Sequence, residues 1–405
     1  MKKSNSWIKN RHKVIYSLIC WILNTYTKTA YHFKPERFFE IKNRPYLIVF
    51  NHQTACDQFF ITESCRTPVY FVVSEDLFSN GMLGPVLKYT CAPIPIKKNA
   101  TDLQAVKNCL KVAREGGSIA LAPEGNRTFS GQTVNIKPSI VKLAKATKLP
   151  VAIYKIEGGY GVHPRWSDSI RKGYIKAGVT KIIEPEEYNK LSDEEFYDLI
   201  KESLYVDERL ISGSYQGNHL AEYMERCMYV CPECGLSVFE SNGNRITCKT
   251  CGKSMTYLPE KKLVSDEFNL QFDNSTDWYN YQENFINSLD LDFFMNNKDT
   301  LLYEDIAKMS IVTPYKRKQV ISKNASLKLY GNHIEISGIK ENLTFTFDEI
   351  HFISVLGRNK MNIYTDSNIY QFKGSKRFNP VKYMNLCYRY KNITGGEENA
   401  KFLGL

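Results

Sequence analysis

Between Arg44 and Ile211 the chain alternates short apolar runs with segments whose apolar residues recur every three or four positions. PYLIVF (45–50), SIALAP (118–123) and VAIYKI (151–156) read as buried strands, because both faces of each run are apolar. Between them, TDLQAVKNCLKVAREGG sets Leu103, Val106, Leu110 and Ala113 at helical spacing and closes on Gly116 and Gly117. IKPSIVKLAKAT (136–147) does the same with Ile140, Leu143, Ala144 and Thr147. Strands alternating with helices predict an α/β layer structure, in which ligands collect beyond the carboxyl ends of strands. From about residue 319 the period changes to two: SLKLY, HIEIS, LTFTF, HFISV, MNIYT and IYQFK are separated by GN, GRN and DSN turns. NPVKYMNLCYRYKN then reads as a closing helix, so a curved antiparallel sheet followed by a helix is expected. The stretch 261–308 is acidic and aromatic, with 277–289 as its expected helix.

The N-terminus has a different pattern. VIYSLICWILNTYT (14–27) carries no charge, and Lys2, Lys3, Lys9, Arg11, Lys13, Lys28 and Lys34 all precede the first acid, Glu36. A bilayer-spanning helix needs roughly 20 apolar residues, so this run is too short to cross. It also lacks the small-residue cleavage site of a secretory signal. Two readings remain: an interfacial helix held at an anionic membrane surface by its basic flanks and Trp21, or a first helix packed on the protein's own core.

With 405 residues, two or three domains are expected, and 43% hydrophobic with 24% charged residues is the balance of a folded chain. A net charge of +11 favours anionic partners, whether lipid, phosphorylated substrate or nucleic acid. Of the eleven cysteines, Cys20, Cys56, Cys65, Cys91, Cys109 and Cys387 are scattered singly in apolar surroundings and read as buried thiols of a reducing compartment. The others crowd between Cys227 and Cys251. Cys231-x2-Cys234 and Cys248-x2-Cys251 are two knuckles, each followed by glycine, and four thiolates on such turns suit a closed, tetrahedral structural zinc site. Cys227 is surplus to that quartet.

Two strings carry the candidate chemistry, and both fall where predicted strands end. NHQTACD holds His52 and, five positions on, Asp57; a histidine can accept a proton near neutrality, and a carboxylate on its other ring nitrogen would fix its tautomer. Alone, this spacing is loose enough to arise by chance. APEGNRTFSG holds Glu124, Gly125 and Arg127, with Thr128 and Ser130 as hydroxyl donors; glycine allows close backbone approach and arginine can grip a phosphate through two parallel bonds. Together they suggest that a hydroxyl on a phosphate-bearing substrate is made nucleophilic.

This pair of blocks resembles the glycerophospholipid acyltransferase family, typified by 1-acylglycerol-3-phosphate acyltransferase. GPVLKYTCAPIPIKK (84–98) and LPVAIYKI (149–156) resemble its two weaker blocks in the right order, so the resemblance spans residues 45–210. It implies that His52 deprotonates the acceptor hydroxyl while Asp57 orients it. It also implies that Glu124, Gly125, Arg127 and Thr128 form the acceptor-binding block, and that Lys98 stands where the family has a phosphate-contacting arginine. Lys97-Lys98 replaces the common Asp-Arg and Asn126 replaces threonine, so the acceptor is less defined than the reaction. Arg165 and Arg171 offer either further anion contacts or a solvated loop. The final strands resemble a PH-like or GRAM-like domain, after which Lys373, Lys376 and Arg377 either meet headgroups or form a solvated loop.

The expected fold is thus α/β: an acyltransferase sheet flanked by helices, then a four-cysteine zinc ribbon and a small C-terminal antiparallel β domain closed by a helix. The expected domains are an N-terminal basic and apolar interfacial region (1–44), the acyltransferase domain (45–212), a helix plus zinc ribbon (213–260), a helical linker (261–315) and the β domain (316–405). The expected partners are a lysophospholipid acceptor, an acyl donor (acyl-CoA or acyl carrier protein), one structural zinc and an anionic membrane surface on the cytoplasmic face, with no full transmembrane span and no nucleic acid. Rival readings are another lysolipid or glycerol-phosphate acceptor, or a non-catalytic scaffold on the same fold.

Overall fold

The computed structural model describes residues 6–79, 83–97, 102–313 and 317–395. The described chain divides into two compact units, one running to Pro164 and resuming at Ile170–Tyr215, the other made of Arg165–Ser169 and residues 216–395.

The first unit opens with α1 (Asn10–Ala30) and then interleaves β1 (Leu47–Phe50), α2 (Asp57–Cys65), β2 (Val69–Ser74), α3 (Leu83–Thr90), β3 (Ile94–Ile96), α4 (Leu103–Arg114), β4 (Ser118–Leu121), α5 (Ser139–Thr147) and β5 (Val151–Glu157). The short α6 (Gly159–Val162), β6 (Lys176–Ile183), α7 (Pro185–Tyr188) and α8 (Asp193–Leu204) complete it. The sheet order is β3-β2-β4-β1-β5-β6, parallel except for β6, which runs antiparallel to β5.

Because β1 is covered on both faces, its side chains alternate between two cores. Ile48 and Phe50 pack with Phe60, Ile61 and Cys65 of α2, and Leu47 and Val49 pack with residues of α4, α5 and α8. That two-sided burial is why β1, β4 and β5 read as nearly continuous apolar runs. Strands β2, β3 and β6 did not stand out in the sequence; β3 has only three residues, and β6 places Lys176, Thr180 and Lys181 among its apolar positions. Local caps fix the helices: Asp102 accepts the N–H groups of Gln104 and Ala105 at the start of α4, and Ser192 and Glu195 form a reciprocal box at the start of α8.

One side of the N-terminal helix packs on the protein's own core. His12, Tyr16, Cys20 and Thr27 are buried, and α1 packs on α2 and α3. Val14, Leu18, Trp21, Ile22 and Tyr26 are exposed at spacings that place them along the other side. Ahead of it the Glu115 carboxylate accepts the N–H groups of Trp7 and Ile8 and the Ser6 hydroxyl, which ties the chain's start to the end of α4. No helix among the described residues is long and apolar enough to cross a membrane.

In the second unit, β7 (Val230–Cys231) and β8 (Gly235–Leu236) form the first knuckle, followed by a four-stranded ribbon of β9 (Phe239–Asn242), β10 (Arg245–Cys248), β11 (Ser254–Tyr257) and β12 (Leu263–Val264). Helices α9 (Ser275–Ser288) and α10 (Leu291–Asn296) lead to a seven-stranded antiparallel sheet, ordered β16-β15-β14-β13-β19-β18-β17. Six strands are those the alternation predicted: β14 (Gln319–Leu329), β15 (His333–Ser337), β16 (Leu343–Thr346), β17 (Phe352–Leu356), β18 (Lys360–Tyr364) and β19 (Ile369–Gly374), closed by α11 (Val381–Thr394). The seventh, β13 (Tyr303–Ile311), lies inside the expected helical linker and corrects its end. Its buried positions include Ala307 and Ser310 beside Met309, too small and too polar to make an alternating stripe legible, yet it is the central strand between β14 and β19.

Candidate active site

Strands β1 and β4 are parallel neighbours, so the loops leaving their carboxyl ends emerge side by side. The first loop is Asn51–Cys56 and the second begins at Ala122, which brings the two strings together. Asn51 starts the first loop by imitating a strand residue: its side chain donates to the carbonyl of Ile156 and accepts the Ile156 N–H, at 2.8 and 2.7 Å. Asn51 is buried, and the sequence reading missed it because a lone asparagine at a strand end resembles any turn residue.

Asp57 is the first residue of α2 and is fully buried. Its carboxylate accepts the backbone N–H of Gln53 and of Thr54 and the Thr54 hydroxyl, all between 2.7 and 3.1 Å. The remaining bond joins Asp57 Oδ2 to His52 Nδ1 at 2.7 Å. With a carboxylate accepting at Nδ1, the neutral ring carries its proton there and offers a lone pair at Nε2. The His52 side chain is 25% exposed, so a substrate can reach the imidazole while its orienting partner stays dry.

Glu124 ties the two loops. Its Oε1 accepts the N–H of His52 at 2.6 Å and its Oε2 accepts the N–H of Val134 at 3.0 Å. The Thr128 N–H donates in turn to the His52 carbonyl at 3.0 Å, so the residue carrying the imidazole is held at both backbone groups. Thr128 is buried and its hydroxyl accepts from the N–H groups of Ser130 and Gly131, which makes it a brace of the turn, whereas the sequence suggested a phosphate donor. Gly125 is exposed with φ of +75°, a backbone conformation that glycine adopts without strain, and Arg127 is half-buried two positions on. Lys98 lies outside the described residues.

Arg165 and Arg171 are not solvated. Both are buried: Arg171 donates to the Gly161 carbonyl within the first unit, and Arg165 donates to the carbonyls of Val355 and Gly357 within the second. Neither of these bonds is an anion contact. Arg377 pairs with the buried Glu225 and donates to the Ser241 carbonyl, while Lys373 and Lys376 are exposed.

The four knuckle cysteines converge. Their sulfurs all lie within 4.8 Å of one another, with Cys231 and Cys251 3.9 Å apart. A tetrahedral ion with about 2.3 Å bonds to sulfur requires neighbouring sulfurs just under 4 Å apart, so this donor set fits one. Backbone N–H groups of Glu233 and Cys234 donate to Cys231 Sγ, and those of Thr250 and Cys251 to Cys248 Sγ, an arrangement that favours thiolates. Cys227 is buried, donates to the Met224 carbonyl and stands outside the quartet.

Burial has an electrostatic consequence at Glu124. Desolvation pushes its carboxyl up to about 8, with Asp57 adding to the rise and the two backbone donors working against it. An unfolded glutamate releases its proton near its ordinary value of 4.5. Between that value and about 8 the folded protein therefore holds a proton the unfolded chain has lost, and stability falls by about 1.4 kcal/mol per pH unit before levelling off. Thermal unfolding of the wild type against Glu124→Gln across this range should show the wild type losing ground to the variant as pH rises to about 8. Parallel curves would mean that Glu124 does not carry this proton.

Residues 30–154 match the family model described as Acyltransferase. Among solved structures, the crystal structure of the 1-acyl-sn-glycerophosphate (LPA) acyltransferase PlsC from Thermotoga maritima is similar at 19% identity and a TM-score of 0.40, covering 49% of this chain and 80% of that one. No curated protein matches the chain. The matched segment contains β1 to β4, both site loops and all but the last residues of β5.

Proposed function

We propose that this protein transfers a fatty acyl group from a thioester donor to the free hydroxyl of a lysophospholipid at a membrane surface. The acceptor we favour is 1-acylglycerol-3-phosphate, with phosphatidate as product. The observation that carries this reading is the His52–Asp57 pair, fixed by Glu124 beside the loop that bears Gly125 and Arg127.

In this mechanism His52 Nε2 takes the proton of the acceptor hydroxyl as its oxygen attacks the thioester carbonyl. Asp57 keeps the ring in its productive tautomer and stabilises the imidazolium that forms. The tetrahedral intermediate collapses with cleavage of the carbon–sulfur bond, and the departing sulfur takes the proton back from His52, which leaves the ester, a free thiol and a neutral ring. Arg127 holds the acceptor phosphate. No nucleophile from the protein and no covalent intermediate on it are required. With purified protein, a thioester donor and 1-acylglycerol-3-phosphate, His52→Ala should lower turnover by about 10²–10⁴-fold while thermal unfolding is unchanged. A folded His52→Ala variant with full activity would sink this mechanism.

The exposed side of α1 supports a membrane location. Val14, Leu18, Trp21, Ile22 and Tyr26 present apolar surface, with Val86 and Tyr89 of α3 also exposed and Arg11, Lys13 and Lys28 along the helix. Each such side chain transferred to an acyl layer contributes roughly 1.5–3 kcal/mol, and the basic residues add attraction to anionic headgroups. The double variant Leu18→Glu/Trp21→Glu should lose co-sedimentation with anionic vesicles yet keep its activity on a short-chain, freely soluble acceptor. Retained sedimentation would remove α1 from the membrane contact.

Zinc is the ion we assign to the four knuckle cysteines, in a structural role, since all four coordination positions are filled by the chain. The purified protein should contain about one zinc per chain by elemental analysis, and Cys248→Ser should lose it together with the fold of the ribbon. Stoichiometric zinc in Cys248→Ser would show that the metal sits elsewhere.

A further inference from the structure

Beside the acceptor loop stands a cation that neither strong sequence block contains. A β-carbon placed on Gly125 would lie 3.6 Å from Lys137 Nζ and 3.7 Å from Lys137 Cε, so the ammonium reaches the outside of the Glu124–Arg127 turn at its most open point. The backbone of Lys137 is fixed on both sides. Its N–H donates to the Pro123 carbonyl at 3.2 Å, and its own carbonyl accepts the Ile140 N–H at 3.1 Å as α5 begins. Pro138 follows directly and restricts the joint further.

No counter-ion is built for this charge. Among the described residues no hydrogen bond or ion pair engages Lys137 Nζ, and the carboxylate nearest in sequence, Glu124, already spends both oxygens on the N–H groups of His52 and Val134. Lys137 keeps contact with solvent, yet the protein packed around its ammonium desolvates it enough to hold it below the ordinary lysine value. An ammonium that has already lost part of its water gains more from an arriving anion than a fully hydrated one. Arg127 belongs to the same turn, and Glu124 bonds the N–H of His52, so the turn that Lys137 approaches is tied directly to the residue that bears the imidazole.

We infer that Lys137 binds the phosphate monoester of the acceptor and sets the preference for phosphorylated over unphosphorylated acceptors. This rests on the functional reading above and deepens it. It assigns the headgroup to the Gly125 turn, with one cation from the turn itself and one from the start of α5. The acyl donor also carries phosphate, as coenzyme A or as the arm of a carrier protein, and the test separates the two sources.

The test compares full-length wild type, Lys137→Met and Lys137→Arg with 1-acylglycerol-3-phosphate, with the matching monoacylglycerol that lacks phosphate, and with varied thioester donor. Loss of one charged contact should raise the KM for the phosphorylated acceptor by about ten- to a hundredfold. The kcat and the donor KM should stay near wild type, the monoacylglycerol KM should not move, and Lys137→Arg should recover much of the loss. Three results overturn the inference: an unchanged KM for the phosphorylated acceptor, an equal rise for both acceptors, or a rise confined to the donor. If the wild type acylates nothing, the functional reading falls by itself. Lys137 is then judged by calorimetric binding of glycerol 3-phosphate, which Lys137→Met must weaken for the inference to stand.

Discussion

The site depends on the sealed carboxylate of Glu124. Two loops leave adjacent parallel strands, and nothing in sheet hydrogen bonding alone dictates how they settle against each other. Glu124 settles it by accepting one N–H from the first loop, at His52, and one from farther along its own, at Val134. The Thr128 N–H to the His52 carbonyl completes the clasp. Asp57, also without solvent contact, then has a fixed backbone against which to aim the imidazole. Two buried acids in one site are costly, and Glu124 carries that cost as a raised carboxyl pKa. The arrangement is sustained because each oxygen of both groups meets a donor.

How much of this was legible in the sequence varies with the kind of force at work. The strands β1, β4 and β5 announced themselves because burial on both faces leaves few positions for polar residues. The six later strands of the C-terminal sheet did so because one-sided burial imposes a period of two. Strand β13 did not, since its inward positions include alanine and serine and its place in the sheet is fixed by partners on both sides. At the candidate site, His52, Asp57, Glu124, Gly125 and Arg127 stood out in the two strings that the fold brings together. The residues that hold them did not: Asn51 acts by bonding a strand a hundred residues away, and Thr128 acts through its backbone. Lys137 belongs to neither block and becomes visible only where the chain returns past Gly125. For Arg165 and Arg171 the sequence offered anion contacts or a solvated loop, and both are buried with bonds to backbone carbonyls that the sequence did not suggest.

The second unit follows the same logic of satisfied polar groups on a different scaffold. Four cysteines on two turns converge to a spacing that suits a tetrahedral ion, and the turns aim backbone N–H groups at two of the sulfurs. Arg226 shows how the buried charges of this unit are handled: it bonds the Asp168 carboxylate and the carbonyls of Trp166 and Lys376. Residues 165–169, which interrupt the first unit in sequence, are thus fastened by specific hydrogen bonds within the second.

The central claim is that His52, oriented by Asp57, removes the acceptor's proton. The pH dependence of kcat/KM for the acceptor tests it most directly. Between about pH 8 and about pH 5 activity should fall, approaching unit slope only at the acid end, because a protonated imidazole cannot accept a proton, and in a folded Asp57→Asn variant that limb should move or vanish. A rate that stays level across that range in the wild type, with the acceptor's own ionisation accounted for, would contradict the account.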